Sequence, residues 1–395
     1  MKIVFVTTQS HAQSTLIGRI IPIAKELGKK GNAVTVLVHG EDLSFPRKRE
    51  STSLTHGSPI KSGMTFRITG KNPFTRTATG KKRKSGLFLA VLLFANAIRS
   101  ALAIIKIHPD VIIIVKPFPE NVFAVSLARF FIPNSKIVLD VDDFELFANV
   151  LSSPIERAVL HWSERKASWL AMHTIAATPF LHDHMQAVSN QKNPITLIPT
   201  PYSPPAVLIS NPSSYTLLYI GSVSQSSGHL VGMLPNILQE VRKEIPDTTL
   251  LIAGTGDDET MLKNRLEKLG LQDAVTWSGR FIDTDIPNII AQSAVIIDPI
   301  DDSIVNRAKS SFRAMLAITA GMPIITSNIG IRPIIIPHQF HERFFVQAGD
   351  EQLYAQGIIR VLRNPLNNSE ISVLHSASEK YSYEASAKMY YNCLV

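Results

Sequence analysis

Short apolar runs recur along the chain, and between them the apolar positions fall at helical intervals. Residues 3–6 (Ile-Val-Phe-Val) form the first run, and residues 14–30 place Leu16, Ile20, Ile23, Ala24 and Leu27 on one helical face. Gly28 and Gly31 end that stretch, where a left-handed helix cap is expected. A second apolar run at 33–38 completes a strand–helix–strand unit, which implies a parallel sheet. Further runs at 111–115, 136–140 and 174–177 are continuously apolar, as strands covered on both faces are. A second series follows at 216–221, 249–254, 274–277, 294–297 and 323–326, with helical stretches at 230–243 and 259–269. Residues 198–214 are rich in Pro and Ser and read as a linker. The pattern predicts an α/β protein of two doubly wound, Rossmann-like domains facing each other across a cleft, where ligands of such sheets bind.

A length of 395 residues fits two or three domains, and 45% hydrophobic against 18% charged residues excludes a largely disordered chain. The single cysteine, Cys393, excludes an internal disulfide and Cys-based zinc sites, and a reducing compartment fits best. The apolar start is too short for a secretory signal. The longest apolar run, 86–98, is closed by Arg99 and falls short of the roughly 18 residues a spanning helix needs. The expectation is a cytoplasmic protein, soluble or peripheral at the inner face of the membrane.

The net charge of +8 is local. Residues 44–84 hold eleven of the 40 Lys/Arg and one of the 32 acids, leaving 29 bases and 31 acids elsewhere. A nearly neutral body argues against a nucleic-acid partner. The stretch from Ser44 through Thr65 shows no periodicity and resembles a translated palindromic repeat, an insertion in a surface loop without a catalytic role. The whole 44–84 segment is expected to be a basic loop, in part disordered; the alternative is a basic arm for a membrane or an acidic partner. The run Lys81-Lys82-Arg83-Lys84 precedes an apolar helix and suits an anionic bilayer surface, or else marks the solvated start of a core helix.

The most informative chemistry lies at Lys309-Ser310-Ser311-Phe312-Arg313, after a strand ending in Asp298. A helix starting near Lys309 or Ser310 would offer capped amides and a dipole that favours an anion. Lys309 and Arg313 stand four apart, hence on one helical face, adding two cations suited to a diphosphate. A capped helix with a solvated basic face is the alternative.

The run AKSSFRAMLAITAGMPIITSNIG resembles the donor-site segment of GT-B-fold glycosyltransferases, glycosyltransferase family 4 in particular. LLYIGSVSQSSGH, TTLLIAGTGDDE, AVTWSGRF and the closing YSYEASAKMYY resemble that family's glycine turn, its strand with G-x-G, its strand beside the base and its last helix, in the family's order. The resemblance implies an acceptor domain at 1–205, a donor domain at 206–375 and a C-terminal helix, 376–395, returning to the first domain. It further implies transfer from a nucleotide-diphosphate sugar, which is a substrate, with no cofactor and no metal. Donor contacts would be Gly221 and Ser222, then Gly279 and Arg280 beside the base, then Lys309, Ser310 and Arg313 at the phosphates. Two family glutamates eight residues apart are replaced here by Ala308 and Leu316, and a Leu accepts no ribose hydrogen bond.

In the first domain, Asp140-Val141-Asp142-Asp143 resembles the family's strand-end segment near the transferred sugar, which gives Asp142 the catalytic position. A D-x-D metal site and a simple helix cap are alternatives. His11, Arg19 and Lys116 follow strand ends on the acceptor side. The expected function is sugar transfer to a cell-envelope or surface glycan, or to a lipid-linked acceptor. The rivals are an inactive homologue that binds a glycan or a partner, and a nucleotide-sugar epimerase.

Overall fold

A computed structural model describes residues 1–10, 15–40, 63–77, 80–83, 86–148, 153–204, 206, 208 and 214–395. The chain divides into two units, Met1–Thr200 with Tyr383–Val395, and Pro201–Ser382.

Unit 1 is built on seven parallel strands: β1 (Lys2–Val6), β2 (Ala33–His39), β3 (Met64–Gly70), β6 (Val111–Val115), β7 (Lys136–Val141), β8 (His173–Ala176) and β9 (Ile195–Leu197). Their spatial order is β3-β2-β1-β6-β7-β8-β9, while β4 (Phe74–Thr77) and β5 (Gly80–Arg83) pair as a separate hairpin. The helices are α1 (Ile21–Lys29, entered through a π-turn at Leu16–Ile20), α2 (Gly86–Ile107), α3 (Pro119–Phe131), α4 (Glu145–Ala148), α5 (Pro154–Leu170), α6 (Pro179–Val188) and, from the chain's end, α16 (Tyr383–Leu394). Right-handed crossovers put α1 on one face of the sheet and α2, α3, α5 and α6 on the other. Helix α16 packs on α1, and its Ala387, Tyr390 and Leu394 join Ile3, Phe5, Ile20 and Ile23 in one buried core.

Two expectations are corrected here. The basic segment is not one loop: β3 lies inside it as a sheet edge, with Met64 fully buried and Val34 N–H donating to the Gly63 carbonyl at 3.1 Å. Its alternating Met64, Phe66, Ile68 pattern supplies an inward face despite the surrounding charge. Residues 41–62 and Lys84 lie outside the described residues. Moreover, α2 runs 22 residues with a hydropathy of 2.2, long and apolar enough by composition to cross a membrane. Its inner side is nevertheless committed to the sheet. Asn96 Nδ2 donates to the Lys71 carbonyl at 2.9 Å, and Ser100 Oγ donates to Thr69 Oγ1 at 2.9 Å.

Unit 2 carries five parallel strands, β10 (Thr216–Ile220), β11 (Thr249–Ala253), β12 (Val275–Gly279), β13 (Val295–Ile297) and β14 (Ile324–Ile325), in the order β12-β11-β10-β13-β14. Its helices are α7 (Leu234–Glu244), α8 (Glu259–Lys268), α9 (Ile286–Ala291), α10 (Ile304–Ala308), α11 (Phe312–Ala320), α12 (Arg332–Ile335), α13 (His341–Phe344), α14 (Glu351–Arg363) and α15 (Asn368–Glu379). Strand order reverses between β10 and β13, which opens a crevice beyond their carboxyl ends.

Candidate functional site

At that reversal the turns after β10 and β11 pack backbone on backbone. Gly221 (φ +136°) donates its N–H to the Ala253 carbonyl at 2.9 Å, and a Cβ on Gly254 (φ +149°) would overlap the Gly221 carbonyl. Gly254-Thr255-Gly256 is therefore a packing device that keeps both turns thin. Ser222 is exposed beside them; Gly279 ends β12, and Arg280, which follows it, is exposed.

The cations of this region are placed differently from the expectation. The chain does not run helically from Lys309 to Arg313. Ser303 caps α10, which ends at Lys309 in extended conformation, and Ser311, not Ser310, caps α11 by accepting from Ala314 N–H at 3.2 Å. Arg313 turns inward. Its Nε donates to Asp298 Oδ1 at 2.6 Å, its Nη1 to the Ile220 carbonyl at 3.0 Å, and its guanidinium lies over the Tyr219 ring at 4.8 Å. Arg332 Nε donates to the other Asp298 oxygen at 2.7 Å, and Thr326 Oγ1 adds a third bond at 3.0 Å. Burial alone would raise the Asp298 pKa, but Arg313 and Arg332 outweigh it and hold the carboxyl well below the usual range. Arg313 is thus a structural ion-pair partner. His229 Nδ1 lies 2.8 Å from Arg313 Nη2, and burial, then that cation, lowers its pKa to about 3. The imidazole is neutral, so it accepts from the guanidinium.

In unit 1 the strand-end groups also form closed networks. Lys116 follows β6 with φ +63° and is pinned by Asn121 Nδ2, which donates to the Val115 and Lys116 carbonyls at 2.9 and 3.2 Å. Its Nζ lies 2.6 Å from Asp143, 2.7 Å from Glu145 and 3.4 Å from Asp142. Burial opposes the ammonium charge, but Asp142, Glu145 and Asp143 outweigh it and raise the Lys116 pKa. Burial pushes Glu145 up to about 7. The three carboxylates stand close enough to hold a metal ion, yet the ammonium already lies among them.

Lys116 was expected to face an acceptor, and the structure instead spends its charge on these acids. Arg19 is fully buried: it pairs with Asp140 at 2.9 Å and donates to the Ile198 carbonyl at 2.9 Å, so it presents no group to an acceptor. Tyr390 of α16 donates to Asp140 Oδ2 at 2.6 Å. His11 lies outside the described residues. Sequence reading singled out Asp298 only as the end of a strand and missed its partners Arg332 and, through Arg313, His229, for which the sequence held no signal.

Residues 214–364, most of unit 2, match the family model described as Glycosyl transferases group 1. Over those residues unit 2 is similar to glycosyl transferases of group 1. The whole chain shares its fold with GT-B glycosyltransferases. A sucrose-phosphate synthase from Thermosynechococcus elongatus superposes at TM-score 0.72 and 15% identity, over 99% of this chain and 97% of that one. HepE from Anabaena, solved in complex with UDP-glucose, gives 0.69 at 14%, over 100% and 99%. A lipopolysaccharide outer core galactosyltransferase, WaaB, gives 0.68 at 14%, over 100% and 99%. No curated protein matches the chain in sequence. At this identity the likeness establishes the fold, and Ala308 and Leu316, which the sequence resemblance sets at the two glutamate positions, are both buried.

Proposed function

We propose that this protein transfers a sugar from a nucleotide-diphosphate sugar to a cell-envelope or surface-glycan acceptor. One observation carries the reading: unit 2 places two thin glycine turns and the capped start of α11 at its strand reversal. A diphosphate there would meet the Gly221–Ser222 backbone and the free amides at the start of α11, with Lys309 and Ser310 beside them. Gly279 and Arg280 are read as contacts to the base. As the sugar–phosphate bond breaks, charge develops on the leaving diphosphate, and these donors are positioned to stabilise it. Asp142 is read as the polar group that meets the reacting sugar. The reading is metal-independent, because Lys116 supplies positive charge where a cation would sit among Asp142, Asp143 and Glu145. HepE complexes with UDP and with UDP-glucose support the donor class; WaaB, a lipopolysaccharide outer core galactosyltransferase, supports an envelope glycan.

An inactive, nucleotide- or glycan-binding homologue is the second reading, favoured by the buried Leu316 at a ribose-contact position. Calorimetry with a panel of nucleoside diphosphates, followed by sugar-release assays with and without glycan acceptors, separates the two. Micromolar binding plus acceptor-dependent release supports transfer. Binding without release supports the second reading, and no binding of any diphosphate overturns the donor site.

A further inference from the structure

Helices α2, α3 and α5 lie side by side over one face of the unit 1 sheet, α2 against α3 and α3 against α5. Their inward residues are buried, as in any such layer; many of their outward residues are apolar as well. On α5, Ile155, Val159, Trp162 and Trp169 share one helical face and are exposed, Trp169 by 69%. Leu87 and Phe88 on α2 and Phe130 on α3 extend the surface, Leu87 exposed by 82% and Phe130 by 84%. More than half of the large hydrophobic side chains exposed among the described residues sit on these three helices. A water-facing helix side normally carries charged and polar groups instead.

The charge on this surface is mainly positive. The three helices hold six Lys/Arg and three Glu, and two of those acids, Glu120 and Glu164, are buried. Helix α2 has no acid at all. Cations interleave with the aromatics: Lys166 Nζ lies 4.2 Å from the Trp169 ring centroid, and the Arg157 guanidinium 5.9 Å from that of Phe147. Exposed Trp with Arg and Lys is the composition of a helix lying at the headgroup level of a bilayer. Asn96 and Ser100 tie α2 to the sheet, so α2 can lie along a bilayer but not cross it.

We propose that the outward face of α2, α3 and α5 docks on the surface of an anionic phospholipid bilayer, with Trp162 and Trp169 at headgroup depth. Anionic lipid is chosen over a second copy of the chain because the face carries six Lys/Arg against one partly exposed acid, Glu156, and would repel itself. The inference is independent of the donor site and of the Lys81-Lys82-Arg83-Lys84 run.

The test uses the full chain with Trp277→Phe, which leaves Trp162 and Trp169 as its tryptophans. Co-sedimentation with phosphatidylcholine vesicles, with and without phosphatidylglycerol, should show binding that needs the anionic lipid and weakens as salt rises. Lipids brominated near the headgroup should quench the tryptophan fluorescence. Trp162→Ser with Trp169→Ser should lower the partition about tenfold or more. Arg157→Gln, Arg165→Gln and Lys166→Gln together should remove the preference for phosphatidylglycerol without touching the apolar stripe. Absence of binding, or variants that bind unchanged, overturns the proposal. So does a dimer seen by light scattering that the Trp changes dissolve while no vesicle binding occurs.

Discussion

Removing the Arg313 guanidinium would leave the buried Asp298 carboxylate with one of its two ionic partners. A buried charge that loses a partner is destabilised strongly, so Arg313→Ala should weaken unit 2 by about 3–5 kcal/mol. Lys309→Ala should leave stability within about 0.5 kcal/mol and lower nucleoside-diphosphate affinity instead. Urea unfolding and calorimetry on both variants check this. A stable Arg313→Ala protein that no longer binds nucleotide would return Arg313 to the phosphate site. The pair was not legible in the sequence, because Asp298 lies 15 positions from Arg313 and 34 from Arg332 and only folding joins them. The pairing of Lys116 with its acids was hidden for another reason: a positive φ at a strand end redirects its side chain in a way no periodicity announces.

His39 gives a pH signature at the same scale. Burial lowers its pKa from 6.5 to about 4, so the folded protein resists protonation that the unfolded chain accepts. As pH falls from about 6.5 to about 4 the unfolded state binds the extra proton, and stability drops with it; above 6.5 the group contributes nothing. His39→Gln should flatten the unit 1 unfolding midpoint across that window by roughly 2–3 kcal/mol. An unchanged slope between pH 4.5 and 7 would show that His39 titrates freely.

At the scale of elements, the apolar runs at 111–115 and 136–140 became β6 and β7, and 216–221 and 249–254 became β10 and β11. Continuous apolar strands covered on both faces are hard to misread. Strand β3 was missed because Arg67 and the flanking lysines mask an alternation that one buried face makes obligatory. The start of α11 was displaced because Ser310 and Ser311 are equivalent as cap candidates, and the geometry selects Ser311. A deletion separates insert from strand. Removing 48–58 should leave the folding of unit 1 intact, since residues 40–47 and 59–63 still join the parallel strands β2 and β3, whereas removing 46–65 takes out Gly63, Met64 and Thr65 and should lower its stability by several kcal/mol. The second deletion loses the buried Met64 and its pairing with Val34. Equal melting curves for the two deletions would show that β3 does not need its first residues.

The whole molecule is tied by its last helix, since the chain returns at Tyr383 to complete the unit it began with. Tyr390, Cys393 and Leu394 are buried in the core of unit 1, and Tyr390 donates to Asp140, which is already paired with Arg19. The core of unit 1 is therefore completed only by a segment made after all of unit 2. Burial of each large apolar side chain contributes about 1.5–3 kcal/mol, so truncation after Ser382 should remove roughly 5 kcal/mol or more from unit 1. Tyr390→Phe keeps the packing and deletes only a hydrogen bond to a charged group, at a loss of about 1.5–3 kcal/mol. The ratio of the two effects separates packing from hydrogen bonding. Residues 1–200 alone should be protease-sensitive and bind a hydrophobic dye, while 201–382 should melt cooperatively. A cooperative transition from residues 1–200 alone, at the midpoint seen in the full chain, would mean that α16 only covers a core already formed.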